Sequence, residues 1–275
     1  YFMSAGYLDD TGIIPQSGFK RFNTRMNADY QVNKKVKVGG SFNYTNTNSL
    51  SPRDQSGSSS GNLFYIANRI APIYPLYVRD AEGNIMTDSH GFTMYDFGAG
   101  EYPGLGRPFM GNSNPASMIA LDKYQTISDA INGRGFLNWD IFGGLKASAN
   151  FGVDLTNQRT TNLYNSYYGQ YSDVGGIIYV TAVRQMSVNQ QYLLSYTKDF
   201  GEHSIDALAG YEAYQRNYSY LNGSKENLYN PNITEIDNAI SQPKSSSYSA
   251  VYTSLGYFAR LQYDYADKYF LSGSF

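Results

Sequence analysis

Residues 21–32, RFNTRMNADYQV, alternate between mostly apolar side chains and polar or charged ones. Phe22, Met26 and Tyr30 fall at even positions, whereas Arg21 and Asp29 fall at odd positions. Successive side chains of a β-strand point to opposite faces, so this stretch predicts a strand with one apolar and one polar face. The apolar face of such a strand meets a core in a soluble sheet and lipid in a transmembrane barrel.

The same alternation recurs along the chain, at residues 35–47, 145–155 and 255–265. No helical periodicity of comparable length competes with it. The strands at 21–32 and 35–47 are separated by a very short connection, so we expect them to pair as a hairpin. The sequence therefore predicts an all-β, antiparallel fold.

The predicted connections between strands alternate between long and short. They cover residues 9–18, 33–35, 48–121, 142–144, 161–182, 199–203, 222–252 and 266–268. Strict alternation of long and short connections is not expected in a soluble sandwich. An outer-membrane barrel, by contrast, has short periplasmic turns at one end and long extracellular loops at the other. The pattern favours a transmembrane barrel whose apolar face meets lipid and whose polar face lines the lumen.

The predicted strand count indicates a longer barrel. About nine strands are visible, and an open sheet of that size would expose unpaired backbone groups to lipid, which is prohibitive. The chain also begins and ends within strand-like segments, YFMSAGYL and YFLSGSF. We therefore expect the chain to be a fragment and the barrel to continue beyond both ends of the sequence.

Composition excludes several classes of protein. The net charge of −2 and the pI of about 5.7 give no basic surface for nucleic acid. The chain has no cysteine, so it has neither disulfides nor thiolate metal sites. No run of 18 apolar residues predicts a membrane helix. The 28 tyrosines suit positions that are apolar at the ring and wet at the hydroxyl. We expect no cofactor and no metal.

The two ends of the chain resemble a known family. Residues 1–47, from YFMSAGYLDD to FNYTNT, and residues 257–275, YFARLQYDYADKYFLSGSF, are similar to barrel hairpins of SusC-like (SusC/RagA) TonB-dependent outer-membrane transporters. The resemblance implies that residues 1–275 are a segment of the receptor β-barrel domain. That segment would comprise about nine to ten strands of a barrel of about 22 strands. The plug and the remaining strands would lie outside this chain.

The resemblance also implies a function. Such proteins import oligosaccharides or peptides across the outer membrane of Gram-negative, Bacteroidota-type bacteria, driven through TonB by the proton gradient. The implied partners are a SusD-like surface lipoprotein that covers the barrel, the TonB complex through a part of the protein outside this chain, and outer-membrane lipid.

One long connection carries the best candidates for ligand contact. Residues 91–111, GFTMYDFGAGEYPGLGRPFMG, set aromatic rings among glycines and polar groups. Tyr95, Phe97, Tyr102 and Phe109 offer flat apolar surfaces and Arg107 offers hydrogen bonds, a combination suited to a sugar ring or a peptide. We expect these five residues to bind substrate or to contact the lid protein. The alternative is that the rings pack the connection onto its neighbours.

Three other functions remain open. A passive porin or structural barrel shares every periodicity argument. An outer-membrane enzyme of the lipase type would need a Ser–His pair, and His90 and His203 are each isolated in the sequence. A soluble β-sandwich would bury its apolar faces against each other. We therefore expect no catalytic residue and no enzymatic activity.

Overall fold

The computed structural model describes residues 1–52, 62–89, 91–98, 106–111 and 113–275. Within these ranges nine strands form one antiparallel sheet in which each strand pairs with its neighbours in the sequence. The strands are β1 (Phe2–Thr11), β2 (Gly18–Asn33), β3 (Val36–Leu50), β4 (Lys123–Phe142), β5 (Leu145–Tyr164), β6 (Ile177–Phe200), β7 (His203–Leu228), β8 (Ala239–Tyr265) and β9 (Tyr269–Ser274). The structure confirms the predicted antiparallel all-β fold.

Among the residues that the structure describes, helix is confined to the connections. Two short α-helices, α1 (Leu63–Arg69) and α2 (Pro115–Leu121), lie between β3 and β4, and a 3-10 turn (Ile236–Asn238) lies between β7 and β8. No helix in these described segments is long and apolar enough to cross a membrane.

One face of the sheet is apolar across many strands. Residues that pair directly across antiparallel strands share a face. One such row runs through Tyr30, Val38, Leu137, Ala149, Tyr192, Tyr211 and Tyr257. Phe151 and Leu255 on the same face are 50% and 57% exposed. A soluble protein rarely leaves so wide an apolar surface uncovered, so the soluble sandwich does not fit.

The opposite face is polar, and its side chains bind one another across the strands. Asn150 donates from Nδ2 to Oε1 of Gln191 at 3.2 Å, and Gln191 donates from Nε2 to Oε2 of Glu212 at 3.3 Å. Further along β5, Asp154 accepts at Oδ1 from Nδ2 of Asn132 on β4 at 2.6 Å. We call these two surfaces the apolar face and the polar face.

The apolar face covers only part of each strand. On β5 it runs from Leu145 to Leu155, a stretch that matches the 9–11 tilted residues needed to cross a bilayer core. The next residue on that face is Asn157, which pairs with Asp129 on β4 and with Arg184 on β6. Strands β6, β7 and β8 therefore continue well beyond the apolar band, toward the end that carries the long connections.

This continuation corrects the predicted connection at residues 222–252. β7 extends to Leu228 and β8 begins at Ala239, so that only residues 229–238 connect them. Residues 9–18 and 161–182 likewise shrink to 12–17 and 165–176. The prediction relied on apolar alternation, which disappears where both faces of a strand meet water. The long and short alternation itself is confirmed, since residues 34–35, 143–144, 201–202 and 266–268 form the short turns.

A tight turn fixes the register of β4 and β5. Gly143 and Gly144 adopt φ values of 52° and 94°, which favour glycine. A Cβ atom at Gly144 would lie 2.0 Å from the carbonyl oxygen of Thr197, so no larger residue fits there.

The structure describes one of the two histidines. His203 begins β7, and its Nδ1 lies 2.5 Å from the Tyr263 hydroxyl. His90 lies outside the described residues.

We expect the two faces to respond differently to charge. Ala149→Arg places a guanidinium on the apolar face and should destabilise the complete protein in the membrane by about 2–4 kcal/mol, whereas Asn150→Arg on the polar face should cost far less. Ser41 also lies on the polar face but is opposite Arg134, where an arginine would add like-charge repulsion, so Asn150 is the control. The measurement is the folded fraction in outer membranes against denaturant. Equal losses in both variants would contradict the assignment of the faces.

Candidate functional site

The connection between β3 and β4 folds into a small unit of its own. Its described part contains α1, α2 and three isolated bridges, which pair Tyr77 with Tyr95, Arg79 with Ile85 and Thr87 with Thr93. The bridges hold three short extended segments side by side. This part of the chain therefore presents an ordered surface at the long-connection end of the sheet.

Asn114 holds this unit together. It is 1% exposed, and its Oδ1 caps α2 by accepting hydrogen bonds from the backbone nitrogens of Ala116 and Ser117 at 2.9 and 3.1 Å. Its Nδ2 donates to the carbonyl oxygens of Leu76 and Asp96, both at 2.8 Å. One buried amide thus ties the start of α2 to the bridged segments.

Tyr168, in the β5–β6 connection, is the centre of an aromatic cluster. Its ring lies 5.5 Å from that of Tyr95 and stacks on that of Phe97 at 6.2 Å. Its hydroxyl donates to Oδ2 of Asp88 at 3.2 Å. Burial, with the Asp88 carboxylate as a second cause, raises the pKa of the Tyr168 hydroxyl to about 12. The hydroxyl therefore stays protonated, and it can donate this hydrogen bond at any physiological pH.

Further contacts fix the two connections to each other. The rings of Phe92 and Tyr167 lie 4.5 Å apart. Asp122 accepts at Oδ1 from the backbone nitrogen and from Nδ2 of Asn165, at 3.0 and 2.7 Å. Asn165 in turn accepts from the backbone nitrogen of Tyr168 at 2.8 Å. The β3–β4 and β5–β6 connections therefore form one surface.

Arg107 is a buried anchor at a second point of the β3–β4 connection. It is 6% exposed, and its Nη2 donates to the carbonyl oxygen of Ser113 at 3.0 Å. Its guanidinium lies 6.0 Å from the ring centres of Tyr74 and Phe109, within the range of cation–π attraction. Burial lowers the pKa of Arg107, and the Asp96 carboxylate opposes that shift.

The structure separates the predicted contact residues into two groups. Tyr95 and Phe97 are half-buried against Tyr168, as the packing alternative expected. Arg107 is buried, while Phe109 packs edge-on against Tyr74 and remains 40% exposed. Tyr102 lies outside the described residues. Ligand or lid contact by these five residues remains a prediction, and among the four that the structure describes Phe109 is the most exposed aromatic ring.

The polar face contains a cavity of about 690 Å³. Its charged lining includes Arg25, Asp29, Lys37, Arg134 and Asp154. Lys37 and Asp29 form an ion pair at 2.7 Å. The cavity is therefore hydrophilic and carries both signs of charge, as a water-filled lumen requires.

Five tyrosines on the polar face of β7 and β8 escaped the sequence analysis. They are Tyr214, Tyr218, Tyr220, Tyr248 and Tyr252. The last two fall inside the predicted connection at 222–252, so their place on a strand was missed. Their even spacing was a usable signal, because residues two or four apart on a strand share a face.

Comparison with known proteins identifies similar receptors. No known protein-family model matches the chain. TonB-dependent receptors P26 and P3 of Formosa agariphila are 25% and 23% identical to it, over 99% and 98% of its length. TonB-dependent receptor SusC of Bacteroides thetaiotaomicron is 24% identical over 98% of the chain. The chain is thus similar to TonB-dependent receptors, SusC among them.

These relatives are much longer than the chain, which spans 25% of P3 and 26% of both P26 and SusC. Solved structures agree on the fold. The RagAB peptide transporter superposes with a TM-score of 0.70 at 18% identity, covering 99% of this chain and 29% of its own. The RagAB peptide importer in its open-open state gives the same TM-score at 23% identity, with the same coverage of both chains. The nine strands thus have the fold of a barrel wall in such a transporter.

We expect Tyr168 to control the order of the connections. Tyr168→Ala removes two ring contacts and the hydrogen bond to Asp88, so protease added to intact cells should cut residues 62–98 about five- to tenfold faster. Tyr168→Phe keeps the rings and should raise the rate only about two- to threefold. Tyr229→Ala, at an 87% exposed position, serves as the control and should leave the cleavage rate unchanged. An unchanged rate in Tyr168→Ala would contradict the role of this cluster.

Proposed function

We propose that the chain forms part of the wall of an outer-membrane barrel that actively imports oligosaccharides or peptides. The observation that carries the proposal is the apolar face, which continues across the strands and lies opposite a hydrogen-bonded polar face. Only a barrel can place such a sheet in lipid without leaving backbone groups unpaired. The names of the relatives, which are receptors and a peptide transporter, support import rather than enzymatic activity.

The barrel has a defined orientation in this proposal. The short turns at residues 34–35, 143–144, 201–202 and 266–268 face the periplasm, and the longer connections face outward. The polar row through Asn157 and Arg184 then marks the outer boundary of the lipid. Strands β6 to β8 project beyond that boundary into the extracellular space, and further strands outside this chain close the barrel to about 22.

The proposed partner is a SusD-like surface lipoprotein that covers the barrel. The β3–β4 and β5–β6 connections offer it a single ordered surface, with Phe109 exposed and Arg107 beneath it. Tyr95 and Phe97 act indirectly in this proposal, by holding the surface in place. Tyr102 belongs to the same connection and is proposed as a further contact residue.

Energy dependence separates this function from that of a passive porin. In cells with the complete protein, collapse of the proton gradient should reduce uptake of a labelled oligosaccharide or peptide pool to the level of a deletion strain. A small solute that enters through unrelated porins provides the control and should be unaffected. A barrel closed by a plug needs energy to open, whereas a porin does not. Uptake that persists after uncoupling would exclude active import.

Phe109 provides a test of the partner. Phe109→Ala should reduce the amount of surface lipoprotein that copurifies with the complete protein about five- to tenfold, because exposed aromatic anchors dominate many interfaces. Phe142→Ala removes a 68% exposed phenylalanine at the short-turn end and should leave copurification unchanged. Equal copurification from both variants would assign Phe109 to packing alone.

A further inference from the structure

The five tyrosines on the polar face of β7 and β8 form two ring groups, here called the tyrosine cluster. The rings of Tyr214 and Tyr252 lie 6.1 Å apart. The ring of Tyr248 lies 5.7 Å from that of Tyr218 and stacks on that of Tyr220 at 5.3 Å. Tyr220 and Tyr248 are direct cross-strand partners, which fixes their geometry through the backbone.

The cluster adjoins the polar cavity. Tyr214 pairs with Asn189 on β6, and Asn189 lines the cavity together with Gln191. The Tyr214 hydroxyl donates to the Ser187 hydroxyl at 3.1 Å. A surface of aromatic rings therefore runs along the wall from the extended parts of β7 and β8 toward the cavity within the apolar band.

Two rings of the tyrosine cluster are presented to solvent, and the other three are half-buried. Tyr248 and Tyr252 lie on the part of β8 that β9 does not reach, and each is 55% exposed in this chain. The residues between the two groups on this face are Arg216 and Ala250. Exposed aromatic surface on a water-facing wall does not stabilise a fold, because its apolar area stays in water. The cluster therefore has the composition of a ligand surface, with flat rings, hydroxyl groups and one guanidinium.

The spacing and the backbone indicate the class of ligand. Tyr252 and Tyr248 are four residues apart, about 13 Å along the strand, so a ligand that touches both groups is an extended oligomer. From Tyr214 to Tyr220, β7 pairs with β6 on one side and with β8 on the other, so its backbone groups are already paired. In the closed barrel of the proposed function, a neighbouring strand also pairs with the outer edge of β8. A peptide gains much of its affinity from free backbone groups at a sheet edge or from side-chain pockets. A sugar chain needs only flat rings and hydrogen-bonding groups.

We propose that the tyrosine cluster is a stacking surface for oligosaccharide chains, placed on the inner wall between the extracellular end of the barrel and the polar cavity. The proposal rests on the proposed import function, and it assigns to these five residues the capture of a sugar chain after it enters. Arg216 and the amide side chains of Asn189 and Gln191 then orient the hydroxyl groups of the sugar. The tyrosine rings hold its apolar faces.

The test measures binding without energy input. Complete protein purified in detergent is titrated with a panel of labelled hexasaccharides of glucose, mannose, galactose, xylose and uronic acids, and with a labelled peptide pool. At least one saccharide should bind. Combined replacement of Tyr218, Tyr248 and Tyr252 by alanine should weaken that binding about tenfold or more, whereas replacement of the same three by phenylalanine should keep it within about threefold, because the rings remain.

A matched control uses the opposite face of the same strands. Tyr211 and Tyr257 form a ring pair at 5.1 Å on the apolar face, and their replacement by alanine should leave the affinity of the folded barrel unchanged. Several outcomes would overturn the proposal: no saccharide binds, only peptides depend on the cluster, or the alanine variant binds sugar normally but loses the lipoprotein. None of these affects active import, which the uncoupling experiment tests separately.

Discussion

The antiparallel register between neighbouring strands determines both faces of the sheet at once. A slip of one residue between β5 and β6 would turn Tyr192 away from Ala149 and place it among the polar groups around Asn150. The backbone hydrogen bonds that set this register also satisfy the peptide groups of the inner strands β2 to β7 where they would meet lipid. The tight turn at Gly144 holds the register where β4 passes into β5. Membrane placement, the hydrophilic cavity and the tyrosine cluster all follow from that one alignment.

The part of the fold inside the apolar band was predictable from the sequence, and the part outside was not. Between Leu145 and Leu155 one side of the strand meets an apolar medium and the other meets water, which leaves an alternating pattern. The first half of β8, AISQPKSSSYSA from Ala239, shows little such alternation because both of its sides meet water. Backbone pairing with β7 keeps it extended all the same. The sequence analysis therefore placed the ends of β7 and β8 at the edge of the apolar band, short of where the structure has them.

The candidate site shows a similar division. Asn114 followed by proline is a readable helix start, since the amide caps the first turn and proline fits the first helical position. The partners of Tyr95 and Phe97 were not readable, because Tyr168 lies more than 70 residues away and joins them only through packing between two connections. The burial of Arg107 also depends on a distant ring, that of Tyr74. Residue types alone identified the β3–β4 connection as the candidate site. Long-range contacts decide which of its side chains remain available to contact a ligand or a partner protein.

The tyrosines of β7 and β8 change faces near the edge of the apolar band. Tyr211 and Tyr257, at odd positions, lie on the apolar face, whereas Tyr214 and Tyr252, at even positions, lie on the polar face. A ring with a polar tip suits both places, because lipid and sugar each offer it an apolar contact beside hydrogen-bonding groups. Extending the strands beyond the lipid keeps these rings on a rigid, hydrogen-bonded backbone instead of a loop. A ligand that binds there orders few protein groups, so less of the stacking free energy is lost to entropy.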